Sequence, residues 1–467
     1  MNDKTGFAAI AAREQGLKRQ LTSAQMSMIA IGGAIGTGLF MGSTFAIGVA
    51  GPGVLLSYAI GALITLLLMG CLAEMTVAHP TSGSFGAYAE FYIGALAGFL
   101  VRYAYWAAIV LAIGTEVTAI ALYMKYWYPG VAGWVWILLF SSALILTNAA
   151  SVKAFGHFEY AFSAIKISAI LAFILLGAWL LFGGVNPDYG FHHYVAHGGF
   201  LPHGLSGVWV AVIIAIFSYL SIEMIAVAAG EAEDPERAVK QAFRVTMVRL
   251  LVFYILTLAI ILAIIPWNHS GQGVESPFVS VMQQVGIPGA TGLINFVILV
   301  AALSAMNSQL YTTTRMMFSL SRAGHAPQAM GRLSRSGVPL NALALSCTGV
   351  ALATLVNVAF PEQSFMLMMA ISIFGALFAW MMIFFTHYRF RRHHERSGGP
   401  QLTLRMWGFP YATLLGLFLM LAILVTTAFV PEFRMTLVFG VPFLCGLALA
   451  YQSYFRGRAK AVAAEEM

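Results

Sequence analysis

Twelve separate runs of about 20 mostly apolar residues punctuate this chain, each long enough for a helix to cross a bilayer's hydrocarbon core. They fall near 25–50, 53–75, 94–124, 131–150, 158–182, 205–229, 244–266, 290–314, 338–358, 363–386, 407–428 and 434–454. With 60% of its 467 residues hydrophobic and 9% charged, the chain has too little polar surface to cover a soluble globule. In hydrocarbon every backbone amide needs a partner inside its own segment, so the expected fold class is an all-α polytopic membrane protein. The first two dozen residues are polar, and the first apolar run is expected to act as its own insertion signal.

The charges fix an expected orientation. With the N-terminus inside, the inner segments collect Arg13, Lys18, Arg19, Arg237, Lys240, Arg322, Arg332 and the cluster Arg389, Arg391, Arg392 and Arg396, against Lys125 and Arg434 in the outer loops. That asymmetry predicts both termini in the cytoplasm and an even number of spans. The formal charge of +7 then serves orientation and contact with anionic lipid, and nucleic acid is not an expected partner. Cys71, Cys347 and Cys445 all lie in apolar runs, as small core residues rather than a disulfide or metal frame.

Within the first run, Gly32-Gly33-Ala34-Ile35-Gly36-Thr37-Gly38-Leu39-Phe40 places four glycines in nine residues. Each costs about 1 kcal/mol against alanine in an ordinary helix. A broken helix is tolerated in hydrocarbon where its freed amides and carbonyls face protein, water or a ligand. The expectation is therefore a break at 35–38, with carbonyls free at the end of the first half and amides free at the start of the second. Such a pair suits the ammonium and carboxylate of a zwitterion.

Five spans later, Phe217-Ser218-Tyr219-Leu220-Ser221-Ile222-Glu223 interrupts a second apolar run. Five is odd, so a five-helix repeat re-enters the membrane in the opposite sense. Spans one to five and six to ten are expected to be inverted copies meeting at their broken first helices, with spans eleven and twelve peripheral. The expected organisation is an N-terminal tail at 1–24, a first repeat at 25–182, an outer loop and second repeat at 183–386, a loop and two further spans at 387–454, and a C-terminal tail at 455–467.

Ionisable groups inside spans are candidates for function, though some simply pair with a neighbour. Lys166 sits several residues into the fifth span. It is either a long-reaching snorkelling lysine or an amine that gives up and regains a proton, as a coupling group must. Glu223 follows the second break. Glu116 lies midway along the third span, where a structural hydrogen bond is the alternative to a coupling role. Glu74, before His79-Pro80, fits a gate or helix-end role. Thr37, Ser43, Ser218 and Ser221 flank the breaks, although hydroxyls in membrane helices often bond their own backbone. Ser304-Ala305-Met306-Asn307-Ser308 is a polar step in the eighth span, readable as packing.

The sequence lacks a Gly-x-x-x-x-Gly-Lys-Ser/Thr phosphate loop, which removes support for ATP-driven pumping. The buried polar groups form no nucleophile–base or metal-ligand set at local spacing, so an enzyme is not expected. His192, His193, His197 and His203 share an outer loop without cysteine partners, as solvated residues would.

Four stretches together carry a family resemblance: the glycine run at 32–40; Glu74 ahead of Pro80-Thr81-Ser82-Gly83-Ser84-Phe85; Phe158-Glu159-Tyr160-Ala161-Phe162-Ser163-Ala164-Ile165-Lys166; and Ile222-Glu223-Met224-Ile225 leading to Ala229-Gly230-Glu231-Ala232-Glu233-Asp234-Pro235. In order and spacing, across nearly the whole chain, they resemble bacterial amino acid permeases of the amino acid–polyamine–organocation superfamily, amino acid transporter family. The resemblance implies the fold of the bacterial leucine transporter, with broken helices 1 and 6, working by alternating access. It implies that the substrate carboxylate meets the amides and hydroxyl at Thr37 and Gly38, with Gly36 also at the binding site. The ammonium would meet carbonyls at Ala34 or Ile35 and at Phe217, Ser218 and Leu220, beside Ser221. Phe217 matches an aromatic that closes over substrate from outside. Lys166 matches a lysine at a sodium position of sodium-coupled relatives, which points to the proton as coupling ion and to no other cofactor. Glu223 matches a gating glutamate. Relatives carry small glycines where this chain has Leu220-Ser221, a departure that bears on side-chain specificity. The expected function is import of a neutral L-amino acid by proton symport across the bacterial cytoplasmic membrane. The alternatives are an amino acid exchanger and a non-transporting amino acid sensor.

Overall fold

In a computed structural model, which describes residues 3–184, 186–270, 275–360, 363–398 and 401–455, the chain is a bundle of helices. Of the C-terminal tail expected at 455–467, residues 456–467 lie outside the described residues. Nine helical stretches among the described residues are long and apolar enough to cross a membrane. One of them, Ser23–Ala78, turns at Gly51-Pro52-Gly53 and holds two crossings; the shorter apolar helices Leu251–Ile264 and Tyr411–Thr426 complete twelve. In chain order the spans are Ser23–Ala34 with Ser43–Ala50, Val54–Ala78, Ala95–Met124, Gly133–Ala150, Val152–Phe182, Gly204–Tyr219 with Met224–Ala228, Pro235–Ile264, Ala290–Arg322, Leu340–Ser346 with Thr348–Ala359, Ser364–Ser397, Tyr411–Thr426 and Arg434–Ala450. The expected all-α polytopic fold is therefore the observed one.

Local chemistry starts several of these helices. Thr22 and Gln25 form a reciprocal capping box ahead of the first span, satisfying two otherwise orphaned amides. Ser151 caps the fifth span, and Asp234 caps the seventh with Pro235 in its first turn.

Several helices run past the ends that apolar counting suggests. The fifth begins at Val152 rather than near 158, and the eighth continues to Arg322 rather than stopping near 314. The tenth continues to Ser397, so the stretch after 387 begins as helix, not loop. Their polar ends are absorbed by buried pairs that a hydropathy count does not see. Arg315 on the eighth span donates to Glu231 at 2.7 Å, and Arg391 on the tenth donates to Glu74 at 2.7 Å.

The contacts repeat with a period of five spans. The first span packs on the seventh as the sixth packs on the second; the fifth packs on the eighth as the tenth packs on the third; and the third and eighth pack on one another. This is the two-fold echo expected of inverted repeats. The first, third, sixth and eighth spans form the centre, where Tyr105, Ile109, Ile113, Ile213 and Ile298 are buried. The outer faces of the fourth, fifth, eleventh and twelfth spans expose Leu146, Leu175, Phe182, Phe418 and Val438, as a lipid-facing surface requires. Cys71 is buried and Cys347 half-buried, but Cys445, on the twelfth span, is exposed rather than part of a core.

One end of the bundle is sealed by the chain's own N-terminal segment. Helix Asp3–Arg13 stacks Phe7 on His79. Glu14 accepts from the Thr81 hydroxyl at 2.5 Å and the Gly83 amide at 2.6 Å, and Gln20 and Leu21 donate to the Glu231 carbonyl at 3.0 Å.

Candidate substrate site

Both breaks form where the sequence places them. The first span leaves α-helical geometry at Ile35, with φ −86° and ψ 87°, and resumes as a wide turn at Gly38–Gly42. The sixth leaves it at Leu220, whose ψ is 151°. Ser221 follows with a φ of +78°, in the left-handed region that favours glycine. A glycine would adopt that backbone conformation without the strain a serine bears.

The carbonyls freed at the first break are accepting already. Lys166 reaches from the fifth span and donates to Gly32 O at 2.6 Å, Ile35 O at 3.0 Å and Ser304 Oγ at 2.8 Å. Its ammonium is fully buried, so it is not a snorkelling lysine. Tyr254, on the seventh span, stands between the two breaks. Its hydroxyl lies 2.7 Å from Ala34 O and 2.8 Å from Ser218 O and shares one proton between them. A carbonyl has two lone pairs; Ala34 O fills its second with the Gly36 amide at 3.2 Å, and Ser218 O keeps a position for a further donor such as an ammonium group.

The breaks also touch directly. Ser218 Oγ donates to Gly38 O at 2.7 Å and lies 2.9 Å from the hydroxyl of Tyr58. Gly38 is required here: a Cβ would stand 2.7 Å from Ser218 Cα. Gly36 is equally confined, since a Cβ would meet Ala305 Cβ at 2.9 Å and Glu116 Oε1 at 3.0 Å. Phe217 packs beside Gly38. Thr37 begins the second half, and its amide points at Glu116 Oε2 across 3.4 Å while its hydroxyl lies 3.5 Å from that of Thr115. A carboxylate thus faces a freed amide at the helix start, the interaction a substrate carboxylate would make. Among Ala34, Ile35, Thr37, Phe217, Ser218, Leu220 and Ser221 the most exposed is Phe217 at 6%, and Gly36 and Gly38 are buried. The two breaks are closed over one another.

Glu223 braces the second break. Its Oε1 accepts from Tyr105 Oη at 2.6 Å and from the Ser221 amide at 3.2 Å, and its Oε2 faces the indole of Trp380 on the tenth span without a hydrogen bond. Glu74 belongs elsewhere. It accepts from His387 Nε2 at 3.0 Å, Arg391 Nη1 at 2.7 Å and the Met406 amide at 2.6 Å, fastening the second span to the tenth and to the stretch before the eleventh.

Three residues at the breaks escaped the sequence reading. Tyr254 and Tyr105 carry no signal, because tyrosines are ordinary in membrane helices. Glu159 does carry one, an ionisable side chain on the fifth span, but apolar counting starts that span at 158 and leaves the glutamate at its edge. In the structure it is fully buried and accepts from Ser304 Oγ and, at 2.9 Å, from Asn307 Nδ2. The polar step in the eighth span is thus the partner of the fifth, not mere packing.

The family model for amino acid permeases matches residues 25–457. The chain belongs to the amino acid permease family. The permease is 38% identical over 449 residues to the gamma-aminobutyric acid permease of Bacillus subtilis, covering 95% of each chain. It is 39% identical over 383 residues to the aromatic amino acid transport protein AroP of Escherichia coli, covering 82% of this chain and 84% of that one. Its fold is similar to the crystal structure of a manganese transporter variant from Eremococcus coleocola, with a TM-score of 0.59 at 14% identity and 95% of each chain covered. At that identity the likeness speaks for the fold, the leucine-transporter-like architecture of inverted repeats around two broken helices. The permease is accordingly a polytopic membrane protein of a family of transporters, with its two breaks in contact at the centre.

Proposed function

We propose that this permease imports a neutral L-amino acid by proton symport and alternating access, across the bacterial cytoplasmic membrane with both termini inside. The observation that carries the reading is Lys166. Its buried ammonium fills the cradle made by the Gly32 and Ile35 carbonyls and the Ser304 hydroxyl, a set of oxygens that would otherwise suit a metal cation. A fixed amine there replaces a travelling ion with a travelling proton. With its charge, Lys166 binds the first half of span one to spans five and eight; without it, that half is released to rock.

The substrate carboxylate meets the amides and hydroxyl at Thr37 and Gly38, beside Gly36. Its ammonium distributes three N–H donors among the carbonyls at Ala34 or Ile35 and at Phe217, Ser218 and Leu220, beside Ser221. Phe217 closes the site from outside. Glu116 reports the carboxylate's arrival through Thr37, Glu223 holds the second break, and Glu74 holds the frame against which both move. The relatives named for gamma-aminobutyric acid and for aromatic amino acids support a substrate with both a carboxylate and an ammonium group. A neutral side chain fits because Glu116 is engaged by Thr37 and one oxygen of Glu223 by Tyr105 and Ser221. Each proton moving down 100 mV contributes about 2.3 kcal/mol to accumulation.

The test is uptake of radiolabelled amino acids into proteoliposomes with an inward proton gradient. Accumulation that collapses with a protonophore supports symport. Uptake that requires amino acid inside and ignores the gradient overturns it in favour of exchange.

A further inference from the structure

The fifth span carries a second ionisable side chain that the coupling scheme leaves unused. Glu159 precedes Lys166 by two helical turns on the same face, about 10 Å nearer the end of the bundle sealed by the N-terminal segment. Ser304 links them. Its hydroxyl accepts from Lys166 Nζ at 2.8 Å and donates to Glu159 Oε1, while Asn307 donates to Glu159 Oε2 at 2.9 Å and accepts from Asn148 on the fourth span at 2.8 Å. Glu159, Ser304, Asn307 and Lys166 are fully buried. Gly32 supplies the clearance, since a Cβ there would run into the Glu159 carboxylate and the Ser163 hydroxyl. Among the described residues, the charges acting on Lys166 are Glu159 and Glu116, and the neutral groups bonded to the pair and its partners are the Gly32 and Ile35 carbonyls, Ser304, Asn307 and Asn148.

We infer that Glu159 is a proton station for Lys166, reached through the Ser304 hydroxyl. As a proton passes from Lys166 Nζ to Ser304 Oγ, the Ser304 hydroxyl proton passes to Glu159 Oε1. One N–H and one O–H bond break; one O–H forms on Ser304 and one on Glu159. The ammonium becomes an amine and the carboxylate an acid, so the pair stays neutral overall and no charge is stranded in hydrocarbon. Losing its charge, Lys166 loosens its hold on Gly32 O and Ile35 O. In the orientation proposed above, the proton has also moved toward the cytoplasm. The inference rests on Lys166 as the coupling group.

The experiment uses the full-length protein in liposomes, with radiolabelled phenylalanine or γ-aminobutyrate, whichever the wild type accumulates. Two readouts are taken: proton-driven accumulation, and exchange at equal concentrations on both sides. Ser304→Ala is expected to lose accumulation at least about tenfold while exchange falls by less than about threefold, and Ser304→Thr, which keeps the hydroxyl, to restore accumulation. Glu159→Gln should behave as Ser304→Ala; if it fails to fold, the two serine variants decide. Accumulation by Ser304→Ala equal to the wild type overturns the relay alone. A wild type that exchanges but never accumulates overturns the symport reading and the relay with it.

Discussion

The Ser218 hydroxyl donates to the Gly38 carbonyl across 2.7 Å, so the two broken spans are tied to each other at their breaks. A Cβ on residue 38 would stand 2.7 Å from Ser218 Cα and 3.2 Å from Ser218 N, and backbone atoms in two packed helices cannot swing aside. Gly38→Ala should therefore lower stability by about 1–3 kcal/mol and abolish uptake. Thermal melting in detergent and liposome uptake check this. Wild-type behaviour in both would mean that the breaks do not approach so closely in the working carrier.

Tyr254 supplies the one proton shared by the Ala34 and Ser218 carbonyls, while its ring packs against Tyr219 at 4.7 Å and Tyr58 at 6.0 Å. Tyr254→Phe keeps the ring and removes the donor. It is expected to cost about 1–3 kcal/mol of stability and to weaken substrate binding, because the two carbonyls lose their common anchor. A binding titration beside the melting curve separates the effects: unchanged affinity with lowered melting would confine Tyr254 to holding the fold.

Glu74 accepts from a histidine, an arginine and a backbone amide contributed by two other parts of the chain. Breaking such a buried set by Glu74→Gln should destabilise the protein by about 3–5 kcal/mol. Substrate preference among the amino acids should stay in its wild-type order. A reordered preference would bring Glu74 into contact with the substrate path and refute the frame role.

Glu90, on the helix Ser84–Tyr92 outside the spans, gives the protein an acid-sensitive joint. Burial by itself favours its neutral form, but the guanidinium groups of Arg102, 2.8 Å away, and Arg13 hold it down to about 2, from an ordinary 4.5. A carboxylate with a depressed folded-state value contributes fully above its unfolded-state value and loses that contribution as pH falls through the folded one. The melting difference between wild type and Glu90→Gln should thus be constant near neutrality and shrink from pH 4.5 down to about 2. A difference that stays constant over that window would mean that the pairing adds nothing.

Much of the architecture was readable from the chain itself. A run of about 20 apolar residues has one low-energy solution in a bilayer, and an odd repeat of such runs must invert, so the helices, their number and the two-fold echo follow from composition along the sequence. Gly32, Gly36 and Gly38 marked the first break because glycine is the residue that permits close approach, and the structure shows what approaches: Glu159, Ala305 and Ser218. Lys166 and Glu116 stood out because a charge in hydrocarbon needs a reason.

The partners of those residues were decided in three dimensions. Lys166 finds Ile35 O across 131 residues of chain, Tyr254 finds Ala34 O across 220, and Glu74 finds Arg391 across 317. Local patterning specifies which helix face is polar, but not which of eleven other helices will meet it. Nor does hydropathy tell a buried carboxylate from a loop residue, so Glu159 became legible only when Ser304 and Asn307 were seen to pack against it. The sequence by itself determined the spans and the breaks, because bilayer thickness and backbone satisfaction act on each segment alone. Only the tertiary structure decided the hydrogen bonds that join them, because a directional bond of under 3 Å depends on the relative placement of helices far apart in the chain.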